Sequence, residues 1–174
     1  MEHQVLVPLP ARLVRQALCE PGLPARCVPG LTVDRPAQAG GPAAARLRLR
    51  AGGATITYRG EFTVTPEHAA DGGAVSVSVV ADGQESRGTG EASAVLRIAV
   101  REESSHTALL VVTGEVVAKG RLAELDAPTV AAAGRRLLER FAVALTAAAA
   151  EEAEQPADAE GVQDGLAAGP GGSA

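Results

Sequence analysis

The sequence predicts an α+β domain of the helix-grip type, in which a curved antiparallel sheet of about seven strands wraps one long C-terminal helix. Three observations carry that expectation. Segments of strict apolar–polar alternation follow one another from residue 45 to residue 118, separated only by short turn signals. A helical repeat takes over after Asp126-Ala127-Pro128. Aromatic residues are 2% of the chain against 46% apolar residues overall, so the interior must be aliphatic.

The elements follow in order. Residues 3–9 read as a strand closed by Pro8 and Pro10. Leu13, Val14, Ala17 and Leu18 recur at helical spacing behind Pro10, and Pro21-Gly22 ends that helix. A second short helix over 22–27 stops at Val28-Pro29-Gly30. In 45–50, Leu47 and Leu49 face one way and Arg46, Arg48 and Arg50 the other. Gly52-Gly53 makes a tight turn into 54–65, where Ile56, Tyr58, Phe62 and Val64 share a face and Gly60 predicts a bend or bulge. After a loop at Asp71-Gly72-Gly73, Val75, Val77 and Val79 alternate with serines, and Asp82-Gly83 signals another hairpin. Strand 91–101 aligns Ala92, Ala94, Leu96, Ile98 and Val100, and strand 107–118 aligns Leu110, Val112, Gly114, Val116 and Ala118.

Short connections make the sheet antiparallel, and period-two alternation leaves one face in need of cover. The cover is the last helix, with Asp126 as N-cap, Pro128 in its first turn, and an apolar stripe of Val130, Gly134, Leu137, Phe141 and Leu145. Residues 1–150 thus form one domain. Residues 151–174 hold six acids and no Lys or Arg among Pro, Gly and Ala, which predicts a disordered tail.

Composition excludes several functions. The six acids of the tail account for all of the net charge of −5, so the domain is near neutral and lacks the basic, aromatic-studded surface of a nucleic-acid binder. There is no run of 18 apolar residues and no signal-peptide pattern, which predicts a cytoplasmic protein with at most peripheral membrane contact. Cys19 and Cys27 fit neither a disulfide framework nor a zinc pattern. His3, His68 and His106 have no Ser, Cys or Asp at a catalytic spacing and read as solvated residues of loops and strand ends. Glu102, Glu103 and His106 flank a hairpin turn rather than a metal site. Neither Gly52-Gly53 nor Gly88-Thr89-Gly90 opens a helix, so neither cradles phosphate. Glu91 and Glu115 alternate with apolar neighbours and point outward; Glu61 is open in direction, and Asp34 is placed to reach a cavity mouth. No pair of polar residues stands out as catalytic, and no cofactor is implied.

What remains is the space between sheet and helix. Small residues at the seam (Ala92, Ala94, Gly114 and Gly134) either leave a cavity or simply let helix and sheet approach closely. If a cavity forms, its lining is Tyr58, Phe62, Val77, Leu96, Leu110, Val112, Gly114, Val130, Gly134, Leu137 and Phe141.

The segment Cys19-Glu20-Pro21-Gly22-Leu23-Pro24-Ala25-Arg26-Cys27-Val28-Pro29-Gly30 resembles the CoxG-like family of carbon-monoxide dehydrogenase accessory proteins, of the START-like (SRPBCC), helix-grip superfamily. The resemblance continues at Tyr58-Arg59-Gly60-Glu61-Phe62, at Gly88-Thr89-Gly90-Glu91-Ala92, and at Lys119-Gly120-Arg121-Leu122-Ala123-Glu124-Leu125. It implies a helix-grip fold with a hydrophobic cavity. It also implies a non-catalytic carrier of a quinone or other lipid, working beside a molybdenum hydroxylase of the CO-dehydrogenase type. Pro128 departs from the family pattern and predicts a split entry to the last helix. The alternatives are an interaction module presenting Arg12, Arg15 and Arg26 to a partner enzyme, or a cyclase or hydrolase of the same superfamily.

Overall fold

The computed structural model of the chain describes residues 1–68 and 75–154. Strand β1 (Glu2–Val7) leads into two short helices, α1 (Ala11–Cys19) and α2 (Leu23–Cys27). Six strands follow: β2 (Leu31–Arg35), β3 (Ala43–Ala51), β4 (Ala54–His68), β5 (Val75–Glu85), β6 (Glu91–Ser104) and β7 (Thr107–Ala118). Helix α3 (Ala127–Glu154) is the last described element. The strands form one antiparallel sheet in the order β1-β7-β6-β5-β4-β3-β2, so the first strand lies beside the last. This is the predicted sheet-and-helix architecture.

Several local expectations are corrected. Strand β2 lies where alternation gave no assignment, because Leu31 alone of its residues is half-buried and the rest are exposed. Asp82-Gly83 is not a turn: β5 runs through it, pairing Gly83 with Gly60 on one side and Ala92 on the other. Gly60 makes no bulge, since the register is unbroken on both flanks. It marks a close approach instead, because a Cβ there would run into the Asp82 carbonyl oxygen and lie 2.6 Å from Gly83 Cα. Gly114 plays the same part in β7, where a Cβ would strike the backbone of Val95 and Leu96. These glycines let neighbouring strands close up where side chains would hold them apart. The Gly52-Gly53 turn is as predicted, with φ of 55° and 78°, the positive pair that a two-residue hairpin needs.

Helix α3 is continuous from Ala127, so Pro128 does not split it; in the first turn its missing N–H has no intrahelical acceptor to lose. Asp126 caps the helix as expected, its Oδ1 accepting the Thr129 N–H at 2.7 Å. The loop at Asp71-Gly72-Gly73 and most of the predicted tail, 155–174, lie outside the described residues. No helix among the described residues is long and apolar enough to cross a membrane.

The core divides in two. The larger cluster joins α1 and α2 (Val14, Leu18, Leu23) to β1, the ends of β5–β7 nearest them, and the C-terminal half of α3 (Phe141, Leu145). The smaller one gathers Ala51, Ile56, Tyr58, Leu122 and Ala133 beneath the start of α3. The helix makes its main sheet contacts with β1 and β3, near the two margins, and also packs on α1 and α2.

Candidate functional site

The inner face of the sheet is built by alternation. Cross-strand rows run Phe62–Ala81–Ala94–Val116 and Val64–Val79–Leu96–Gly114. These rows lie between the two clusters, under a helix that rests mainly on the margins. Phe62, Leu96 and Leu137 belong to neither cluster and are only half-buried, while Val116 is 45% exposed. Leu47, also on the inner face, is half-buried as well. These apolar side chains point inward without being fully buried, the pattern that a trough between sheet and helix would leave.

The predicted lining residues divide along this line. Val77, Leu110, Val112 and Phe141 are packed in the larger cluster, and Tyr58 in the smaller one. Phe62, Leu96, Gly114, Val130, Gly134 and Leu137 are half-buried. Gly134 has room: a Cβ there would meet nothing nearer than His3 Nε2, at 3.5 Å. Gly114 has none, being held by backbone contact within the sheet. The helix stripe is wider than predicted, with Ala133, Leu138, Ala142 and Ala149 buried as well. Alanines facing α1 and α2 carry too little hydrophobic signal to be read in advance.

Three polar groups reach the inner side. His3 is half-buried rather than fully solvated: Glu2, Gln4 and Leu6 are exposed, while His3, Val5 and Val7 point inward. Its place in that alternation was the available signal. Glu85 is 7% exposed, and its Oε1 accepts the Arg121 backbone N–H at 2.9 Å. The glycines of the adjoining loops, Gly88, Gly90 and Gly120, enclose this carboxylate where any Cβ would collide with it. Glu85 continues the alternation of Val77 and Val79 through Gly83, which the turn-like pair Asp82-Gly83 conceals. Tyr58 is 6% exposed and its hydroxyl has no hydrogen-bond partner among the described residues. Burial pushes its pKa up, the Glu85 charge adds to this, and Arg121 opposes it.

Other candidates fall away. Asp34 does not reach the interior but pairs on the surface with Arg46 at 2.9 Å, which holds its carboxyl below the usual range. Glu61 points outward beside Arg35, at 3.3 Å. His68, Glu102, Glu103 and His106 are exposed. Cys19 and Cys27 are free thiols whose pKa values burial raises, the opposite of an activated nucleophile. Two surface depressions lie off the trough. One of about 600 Å³ sits between α2 and the end of α3, and one of about 370 Å³ is bounded by Asp82, Glu91 and Lys119.

No family model matches the chain, and no curated protein is similar to it in sequence. Solved structures are similar in fold. A conserved protein from Geobacillus kaustophilus superposes with a TM-score of 0.71 at 14% identity, covering 87% of this chain and 95% of that one. A START superfamily protein from Mycobacterium smegmatis gives 0.55 at 17% identity, covering 87% of this chain and 97% of that one. The fold is the one these solved structures share, a curved antiparallel sheet around a long C-terminal helix. The ZhuI aromatase/cyclase from Streptomyces sp. R1128 gives 0.50 at 17% identity, covering 93% and 98% of the two chains. That match corrects the expectation of a non-catalytic protein, because this fold houses an aromatase/cyclase, an enzyme. The premise of that expectation, an inner wall without ionisable groups, also fails at Glu85 and His3.

Proposed function

We propose that the chain binds a hydrophobic small molecule in the trough between the sheet and the N-terminal half of α3. The observation that carries this reading is the row of inward-facing, half-exposed side chains between two closed clusters: Phe62, Leu96 and Leu137, with Val116 beside them. A ligand that buried roughly 300 Å² of apolar surface there would gain on the order of 7 kcal/mol before the costs of association. Those costs leave an affinity suited to a molecule that must be released again. The test is native mass spectrometry of protein purified from fresh lysate, followed by solvent extraction. A bound lipid-class compound is the expected result; apo mass alone, with no displacement of the fluorescent probe N-phenyl-1-naphthylamine by any lipid, would sink the reading.

The narrower version is a quinone or lipid carrier beside a molybdenum hydroxylase. Its support is the resemblance around Cys19–Gly30. In the fold that segment forms the end of α1, all of α2 and the turn into β2, with Arg12 and Arg26 exposed beside it. Arg15 contributes less to such a surface, since its Nη2 is turned to the Val100 carbonyl oxygen at 3.4 Å. Affinity capture that recovers a molybdenum hydroxylase, and loses it in an Arg12→Glu, Arg26→Glu double variant, is the outcome this version requires.

A further inference from the structure

We infer that His3 orients the bound molecule, recognising a hydroxyl or carbonyl oxygen on an otherwise apolar ligand; this rests on the reading of the trough as a binding site. The inner wall offers almost no other means of orientation. From β3 to β7 and on β1, the inward positions carry aliphatic side chains or glycine except at Tyr58, Phe62, Glu85 and His3 and at the outer ends of the strands. Glu85 is already committed to the Arg121 N–H and enclosed by three glycines. The Tyr58 hydroxyl is buried inside the smaller cluster. His3 differs from both. It is half-buried, enters no ion pair among the described residues, and stands on the margin strand that α3 touches.

Its position fixes what it can do. β1 sets His3 opposite Val112, whose neighbours along the inner face of β7 are Leu110 in the closed core and Gly114 on the trough. Gly134 of α3 faces the ring with hydrogen only, so no side chain of that residue covers Nε2. A neutral imidazole supplies one donor and one acceptor, so it can meet an alcohol or a carbonyl oxygen equally well. Partly withdrawn from water against an apolar wall, it gains from any ligand oxygen that replaces the lost solvent partner. A pure hydrocarbon cannot return that hydrogen bond. The trough therefore favours amphiphiles with an oxygen near one end over hydrocarbons of the same shape.

The test compares farnesol with its hydrocarbon counterpart farnesene as competitors of N-phenyl-1-naphthylamine on the full chain. Farnesol is expected to bind about tenfold tighter than farnesene, the worth of one net hydrogen bond. His3→Phe should remove the preference by weakening farnesol alone, and His3→Gln, which keeps a donor and an acceptor, should restore most of it. Gly134→Val, which leaves His3 in place but covers its ring, should also erase the preference. A preference that persists undiminished in folded His3→Phe and Gly134→Val proteins would overturn the role of His3 while leaving the binding site standing. Failure of both competitors to displace the probe would overturn the binding site and the role of His3 together.

Discussion

The Glu85 carboxylate accepts the Arg121 backbone N–H from inside the sheet, tying the end of β5 to the segment that leads from β7 into α3. Leu122, next in the chain, is 6% exposed in the smaller cluster, so this contact, with the paired backbone hydrogen bonds between Glu91 and Lys119, anchors the connection that leads to α3. Glu85→Ala leaves the Arg121 N–H without its acceptor and opens a void among Gly88, Gly90 and Gly120. A loss of about 2 kcal/mol is expected, read as a lower urea midpoint at unchanged slope.

Three glycines should respond differently to alanine. At Gly60 and Gly114 a methyl group meets backbone of the next strand, which cannot yield, and a loss of about 2 kcal/mol or more is expected for each. At Gly134 the methyl makes only ordinary contact with His3 inside a helix, and stability should rise by about 0.5–1 kcal/mol. Thermal unfolding of the three variants side by side checks the ranking.

Large-to-small changes should report the trough. Leu110 is 0% exposed in the larger cluster, so Leu110→Ala is expected to cost about 3 kcal/mol. Leu96 also faces inward, on β6, but is half-buried and outside both clusters, so Leu96→Ala should cost about 1 kcal/mol in ligand-free protein. Equal costs in chemical denaturation would mean that Leu96 is packed as tightly as Leu110.

The Asp126 cap predicts a pH signature. Hydrogen bonds from the Thr129 side chain and its N–H hold the Asp126 carboxyl below its ordinary range. A carboxyl with a depressed native pKa contributes stability above its unfolded-state pKa and loses it as the pH falls through the native one. Asp126→Ala should therefore lower the melting temperature at neutral pH, and the gap from the parent should close once the pH drops below the carboxylate range.

The strands and the long helix are legible in the sequence because alternation and helical spacing survive in an aliphatic chain: periodicity alone places Leu110, Val112, Phe141 and Leu145. The inner polar residues are less so. His3 reads as solvated because the strand it opens is short, and only its parity with Val5 and Val7 says otherwise. Glu85 is hidden by a turn-like dipeptide, which in a bent sheet meets the need for close backbone approach as readily as the need to reverse the chain. The division of the lining residues between closed core and open trough depends on where α3 rests, and no local pattern encodes that.

The pairing of β1 with β7 also bears on how the chain reaches this state. His3 finds Val112, and α3 finds β1, only across most of the domain's length, so the strand made first cannot pair until nearly everything else has been synthesised. Such non-local closure is slow, because the entropy of a long loop must be lost before the contacts that offset it can form. A nascent chain on the ribosome can complete the β2–β7 meander while the trough still lacks both its margin strand and its helix, and a hydrophobic molecule present at that moment meets a concave apolar sheet with no lid to pass.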